Sequence, residues 1–229
     1  MPWIHAINES AAAEFAEDVL NPMHPDNFRT LGKRIRLEPG QRVLDVGAGR
    51  CGPARILARE FGVRITAVEP YGEFLDAARE RVAAAGLSDH FEFVQSTGAD
   101  FDIEPGAYDA AMCIGATWAW DGLSSTLAAL APGVRGGGHV VAGEVYQTAG
   151  STEVDAEPLT SVLDTFESAG LSVVSLIRST TDDFDTYHSV QATSLLDWPG
   201  EVEGWRREAV ARFAEPNFGW AVMAGRKRE

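Results

Sequence analysis

Apolar residues along this chain switch repeatedly between short dense runs and a spacing of three and four. That is the signature of strands alternating with amphipathic helices. The first helical stretch is NESAAAEFAEDVL, where Ala11, Phe15 and Val19 share one face and Pro22 ends the pattern. NFRTLGKRIRL is the second, with Phe28, Leu31 and Ile35 on one stripe, before Pro39 and Gly40 turn the chain. RVLDVG, RITAVEP, FEFVQ, YDAAMCIGA and HVVAGEVY then read as strands. Between them PARILAREFG, GEFLDAARERVAAAG and SSTLAALAPGV read as helices, with Pro53 in a first turn and Gly62 and Gly86 as stops. The last third breaks the alternation: EPLTSVLDTFESAG is a helix, LSVVSLIRS a strand, DDFDTYHSVQATSLLDW helical up to Pro199, EVEGWRREAVARFAE another helix and FGWAVMAGRK a final strand. The prediction is one α/β domain over residues 1–229, a doubly wound, mainly parallel seven-stranded sheet with helices on both faces. Residues 1–36 form an N-terminal helical cap, 37–146 the core, and 147–229 complete the sheet with a small helical insertion near the C-terminus.

Composition narrows the partners. A chain of 229 residues with 45% apolar content supports one full core. No apolar run is long enough to span a bilayer, and MPWIHAINES lacks the basic flank and apolar stretch of a secretory signal. Cys51 and Cys113 both fall in segments read as buried, which argues against a disulfide and for a reducing cytoplasm. The formal net charge is −15. So acidic a chain is poorly suited to nucleic acid, whose phosphates are bound by lysine and arginine, and to anionic membranes. A small uncharged or cationic substrate agrees better with this balance, which also serves solubility.

The chemistry concentrates in VLDVGAGRCGPARILA. Gly47, Gly49 and Gly52 fit G-x-G-x-x-G between a strand and a helix, a turn that brings backbone close to a ligand. Glu69 ends the next strand about twenty residues on, where an acid can accept hydrogen bonds from both hydroxyls of an adenosine ribose. Nicotinamide and S-adenosylmethionine sites both meet that description, and Asp45 separates them. A carboxylate at the lip of the turn repels a pyrophosphate but favours the ammonium and sulfonium of S-adenosylmethionine. Each residue also has a plainer reading: Gly49 as a tight turn, Asp45 as a cap of the following helix, Glu69 as a solvated strand end.

Here the sequence resembles the class I S-adenosylmethionine-dependent methyltransferases. VLDVGAGRCG matches their first motif and ITAVEP their second; FVQSTGADF stands where they place an adenine-binding segment, and GAYDAAMCIGATW looks like their fourth strand. The resemblance runs from about Leu37 to Tyr146, and the later segments GEVYQ, DDFDTYHS and FGWAVMAGRK look like an uncharacterised bacterial small-molecule branch. It implies a Rossmann-like methyltransferase fold, with S-adenosyl-L-methionine as cofactor and S-adenosyl-L-homocysteine as product. By position, it implies that Asp45, Gly47, Ala48 and Gly49 line the methionine part, Glu69 holds the ribose, and Pro70 and Tyr71 flank the adenine. The adenine amino group then meets Thr97 or the Ala99–Asp100 step; the chain departs here from the commonest pattern, in which an acid directly follows a small residue. Cys113, Ile114 and Gly115 run beside the cofactor towards the substrate. Arg50 either pairs locally or assists the cofactor carboxylate.

Methyl transfer from a sulfonium is an in-line displacement, so alignment is the main task and a base is needed only for a protonated acceptor. Ligands of doubly wound sheets sit beyond the carboxyl ends of the strands, which places ATWAWDG and GEVYQ near the acceptor. Trp118, Trp120, Tyr146 and Tyr187 are the candidate substrate-binding residues. The candidate bases are Glu144, Tyr146 and His188, although Tyr146 fits a pocket wall better. Asp182, Asp183 and Asp185 suit an acidic helix start better than a metal site, and no metal is expected. His5, His24 and His139 read as structural or exposed, with His24 in a break that could close over the cofactor. Partners are therefore a small-molecule acceptor, with oligomeric state unreadable. A cyclase-like use of the sulfonium charge, a nicotinamide-dependent dehydrogenase and a non-catalytic cofactor sensor remain as alternatives.

Overall fold

The computed structural model describes residues 19–148, 156–196, 207 and 218–229. The helix expected over 8–20 falls almost wholly outside them, as does the one expected over 201–215. Helix α1, Pro25–Arg34, begins two residues before the expected stretch, because Pro25 suits a first turn and His24 Nδ1 accepts from the Asp26 N–H as its cap. It ends before Leu37 because Arg36 adopts a left-handed φ of 55°, although Ile35 and Leu37 stay buried. The chain continues as β1 (Arg42–Val46), α2 (Gly52–Phe61), β2 (Arg64–Glu69), α3 (Gly72–Ala84), β3 (Phe91–Gln95), β4 (Tyr108–Ile114), α4 (Leu123–Leu130), β5 (Val134–Gln147), α5 (Leu159–Ser168), β6 (Leu171–Arg178), α6 (Thr181–Leu196) and β7 (Phe218–Lys227).

These strands form one seven-stranded sheet in the order β3-β2-β1-β4-β5-β7-β6. All pairs from β3 across to β5 are parallel, and β7 inserts antiparallel between β5 and β6. The doubly wound, mainly parallel sheet read from the pattern is the observed architecture. Strand β5 departs most from expectation, since the helical pattern before it was expected to run to Val134 and the strand to begin at His139. Pro132 instead stops α4 and leaves the short turn Ala131–Gly133, and β5 starts at once. The glycines that looked like a boundary belong to the strand: a Cβ on Gly138 would stand 2.5 Å from the Asp109 carbonyl oxygen. Only glycine lets β5 approach β4 that closely.

The strands bury both faces, as parallel sheets do. On one side Val43, Ile65 and Ala67 pack with Phe28 and Leu31 of α1, Leu57 of α2 and Val82 of α3. On the other, Leu44, Ala111 and Val140 pack with Leu127 and Leu130 of α4 and Phe166 of α5. Among the described residues, no helix is long and apolar enough to cross a membrane.

Candidate functional site

The strand order reverses direction between β1 and β4, the place where open α/β sheets bind ligands. A cavity of about 520 Å³ opens there, at the carboxyl ends of β1, β2 and β4. Gly47 and Gly49 bend the β1–α2 turn along its wall with left-handed φ values of 71° and 53°. The turn is pinned to β2, because the N–H groups of Gly47 and Ala48 both donate to the Val68 carbonyl, at 2.9 and 3.2 Å. A Cβ on Gly47 would lie 2.4 Å from that of Ala116, so the turn and the β4 exit close against each other with no room for a side chain. Cys51, rather than Asp45, occupies the N-cap position of α2.

Two carboxylates stand behind this turn. Glu69 is on the cavity wall and only 4% exposed. Its Oε2 accepts from the Gly49 N–H at 2.8 Å and its Oε1 from the Tyr71 N–H at 3.1 Å. Burial raises its pKa above the usual carboxylate range, while those two backbone donors pull it back. Asp45 lies deeper than a lip residue: it is buried and absent from the cavity wall. Desolvation, reinforced by the neighbouring charge of Glu69, pushes its pKa up to about 8. The first crossover therefore holds two acids in low-dielectric surroundings that no more than one ionises easily.

Pro70, Tyr71, Thr97, Ile114 and Gly115 line the cavity as expected from sequence, and Trp118 stands at its edge, 52% exposed. Several expected residues do not reach it. Asp100 and Ala99 are exposed and off the wall, because the Thr97 hydroxyl donates to Asp100 Oδ2 at 2.6 Å while accepting from the Asp100 N–H, closing the loop on itself. Ala48 and Cys113 are buried in the two apolar layers instead. Trp120 packs behind the wall, its ring across Gly98, where a Cβ would stand 2.5 Å away. Tyr146 lies over Gly219 of β7 and joins the apolar layer under α4 and α5.

Glu144 is engaged rather than poised as a base. Its Oε2 accepts from the Thr117 hydroxyl and its Oε1 from the Val145 N–H at 3.1 Å. Thr126 in turn donates to the Thr117 carbonyl at 3.2 Å, so the turn Thr117–Trp120 is anchored from two sides. His188 and Tyr187 sit on α6, off the cavity wall, with the buried His188 ring 5.9 Å from Phe184. Asp183 bonds the backbone N–H and hydroxyl of Thr180 at 2.7 and 2.8 Å, a capping arrangement that accounts for the acidic start of α6. Among the described residues, no group of three or more histidines, cysteines and acids is placed to hold a metal. His24 caps α1, and His139 is half-buried, its pKa lowered first by burial and then by Arg226 and Arg135. Arg50 is buried.

Sequence reasoning singled out none of Leu20, Val46, Phe74, Gly98, Ala116 and Ala119 on the wall, although Gly98, Ala116 and Ala119 fall within segments it placed near the adenine or the acceptor. Phe74 was the most accessible of these, lying three residues past Tyr71 in the first turn of α3, with the two rings edge to face at 5.9 Å. Leu20 had no such signal, because the chain's return over the glycine turn is a tertiary event.

Comparison with known proteins agrees with this geometry. A family model described as Methyltransferase domain matches residues 43–138. The structure superposes on a SAM-dependent methyltransferase of Geobacter sulfurreducens in complex with S-adenosyl-L-homocysteine, with 27% identity, a TM-score of 0.85, and coverage of 100% of this chain and 99% of that one. A SAM-dependent methyltransferase of Thiobacillus denitrificans, also in complex with S-adenosyl-L-homocysteine, gives 27% identity and a TM-score of 0.82 over the same shares. The uncharacterised protein YjhP of Escherichia coli is 27% identical across 98% of both chains. Residues 43–138 match the methyltransferase domain model, and the chain has the Rossmann-like fold seen in solved S-adenosylmethionine-dependent methyltransferases.

Proposed function

We propose that this protein transfers the methyl group of S-adenosyl-L-methionine to a small-molecule acceptor, releasing S-adenosyl-L-homocysteine. The observation that carries the reading is Glu69, buried at the end of β2 and fixed by the Gly49 and Tyr71 N–H groups on the wall of the cavity. A carboxylate has about four lone-pair sites, so two backbone bonds leave capacity for a pair of ribose hydroxyls. Pro70, Tyr71 and Phe74 supply an apolar slot for a purine, with Thr97 and Gly98 at its edge. Gly47, Gly49 and Gly115 leave backbone open beside the methionine end. Asp45 contributes charge rather than contact, since a cation above the turn relieves the cost of ionising it. The residues thus fit the cofactor, whose bound sulfonium supplies an electrophilic methyl group.

The protein's own part is alignment and exclusion of water. Leu20, Ile114, Ala116 and Trp118 give the cavity an apolar wall towards solvent, and the Thr117–Glu144 bond holds the Trp118 turn at a set distance from β5. None of the candidate bases, Glu144, Tyr146 or His188, reaches the wall, which favours an acceptor that needs little help in losing a proton. The reading places 37–146 as the cofactor-binding core of one domain, in a reducing cytoplasm where Cys51 and Cys113 stay thiols.

Calorimetric titration with S-adenosylmethionine, S-adenosylhomocysteine and NADH tests the cofactor, and tight NADH binding with silence from the other two overturns the reading. Labelled S-adenosylmethionine incubated with a small-metabolite extract tests the transfer. Binding with repeated failure to transfer label moves the conclusion to a sensor or to cyclase-like chemistry.

A further inference from the structure

A second cavity, of about 250 Å³, opens at the amino ends of β1, β2 and β3, the end of the sheet away from the Glu69 cavity. The topology leaves room for it. The connections after β1 and β2 each carry a helix, whereas residues 96–107, which cross from β3 to β4, carry none. Phe101 and Ile103 of that crossover join the apolar layer of α4 and α5 and cover part of the sheet face. Strand register supplies the chemistry of what stays open. Arg42 and Arg64 are direct partners across β1 and β2, and Thr66 and Glu92 are direct partners across β2 and β3. Side chains alternate along a strand, so these four share one face, that of the buried Leu44 and Val68. Two residues of β2, about 6.6 Å, separate the arginine row from the Thr66 row. All four residues line the cavity, with Asp89 and His90.

Like charges set directly opposite one another on a sheet are unfavourable, yet among the described residues neither guanidinium has an ion-pair partner. Arg42 lies over the Tyr108 ring at 5.1 Å, and the Arg64 side chain makes no hydrogen bond. Glu92 is unpaired as well. Thr66 is only 8% exposed, and its hydroxyl also has no partner among the described residues. A buried polar group on a cavity wall calls for an occupant. An anion alone would suit the arginines but face the carboxylates of Glu92 and Asp89, and a cation alone would meet the reverse. We propose that this cavity binds a small zwitterion. Its carboxylate lies between Arg42 and Arg64, whose guanidinium forks match that group; its ammonium faces Glu92, and the Thr66 hydroxyl donates to the carboxylate from below. The volume is smaller than the ~300–1,000 Å³ of drug-sized sites, which suits a molecule of a few heavy atoms. No residue is shared with the Glu69 cavity, so this site stands apart from methyl transfer.

Nitrogen-15 NMR titration of the full chain saturated with S-adenosylhomocysteine tests the site. The probes are γ-aminobutyrate, butyrate and butylamine, similar in shape and carrying both charges, the negative one alone and the positive one alone. γ-Aminobutyrate is expected to shift the assigned Arg64 and Thr66 amide resonances, to leave that of Gly115 in place, and to bind at least fivefold more tightly than either other probe. Arg64→Gln should weaken γ-aminobutyrate binding at least fivefold, and Glu92→Gln should reduce it to the level of butyrate. Both variants alter exposed positions and should keep S-adenosylhomocysteine affinity within twofold. Butyrate or butylamine binding as tightly as γ-aminobutyrate overturns the proposal, as does γ-aminobutyrate binding unchanged in both variants. No movement of Arg64 and Thr66 with any probe overturns it too. If S-adenosylhomocysteine does not bind, the methyltransferase reading fails, and the same titration of the free protein still reads this cavity separately.

Discussion

Glu69 carries two duties, in binding and in holding the turn, that a single substitution removes together. Its carboxylate satisfies the Gly49 and Tyr71 N–H groups, and hydrogen bonds to a charged partner contribute about 1.5–3 kcal/mol each. Glu69→Ala should therefore weaken S-adenosylhomocysteine binding by roughly one to two orders of magnitude, measured by calorimetry, and lower the melting temperature by orphaning both donors. Asp45 predicts a pH effect of definite sign. Its folded pKa of about 8 lies above the ordinary value of 3.8, so between those limits the folded state holds a proton that the unfolded state has lost. Stability contributed by this group is complete at low pH and declines as pH rises towards 8. Asp45→Asn should flatten that decline in a pH series of thermal melts. A cationic ligand lowers the same pKa, so S-adenosylmethionine binding should expel a proton and tighten as pH rises to 8. Calorimetry in two buffers of different ionisation enthalpy measures that proton directly.

At the level of elements, the β1–α2 turn leaves no slack. Gly47→Ala meets the Ala116 methyl at 2.4 Å and needs a φ of 71°, which costs an alanine about 1–2 kcal/mol before any clash. The variant should lose ligand binding and melt several degrees lower, as followed by circular dichroism. This turn was legible in the sequence because its glycines, its preceding strand and Glu69 are all local signals at fixed offsets. The seven strands were legible for the same reason, as dense apolar runs bounded by glycine and proline. Two things were not. The triple-glycine run at 136–138 looks like a boundary until β4 is seen pressing on Gly138. Trp120, Tyr146 and Glu144 looked like pocket residues because they follow strand ends, yet Gly98, Gly219 and Thr117 each offered them a partner away from the cavity. Sequence position told which end of the sheet they occupy but not which neighbour claims the side chain.

Across the whole molecule, the net charge of −15 creates a long-range field that draws in cations and that salt screens over about 10 Å at 0.1 M. S-adenosylmethionine carries one more positive charge than S-adenosylhomocysteine and is otherwise nearly the same shape. Its association rate should fall with added salt, while that of S-adenosylhomocysteine changes little, as stopped-flow fluorescence of Trp118 at the cavity edge can follow. Equal salt dependence would place the recognition entirely in short-range contacts.

The antiparallel strand β7 also governs how the molecule is assembled. It follows β6 in the chain yet sits inside the sheet, and among the described residues β6 pairs with no other strand. β6 therefore cannot join the sheet until Phe218–Lys227 has been made and has slotted in beside β5. A nascent chain halted before Phe218 should leave β5 and both sides of β6 unpaired, and should be an early substrate for chaperones or for aggregation.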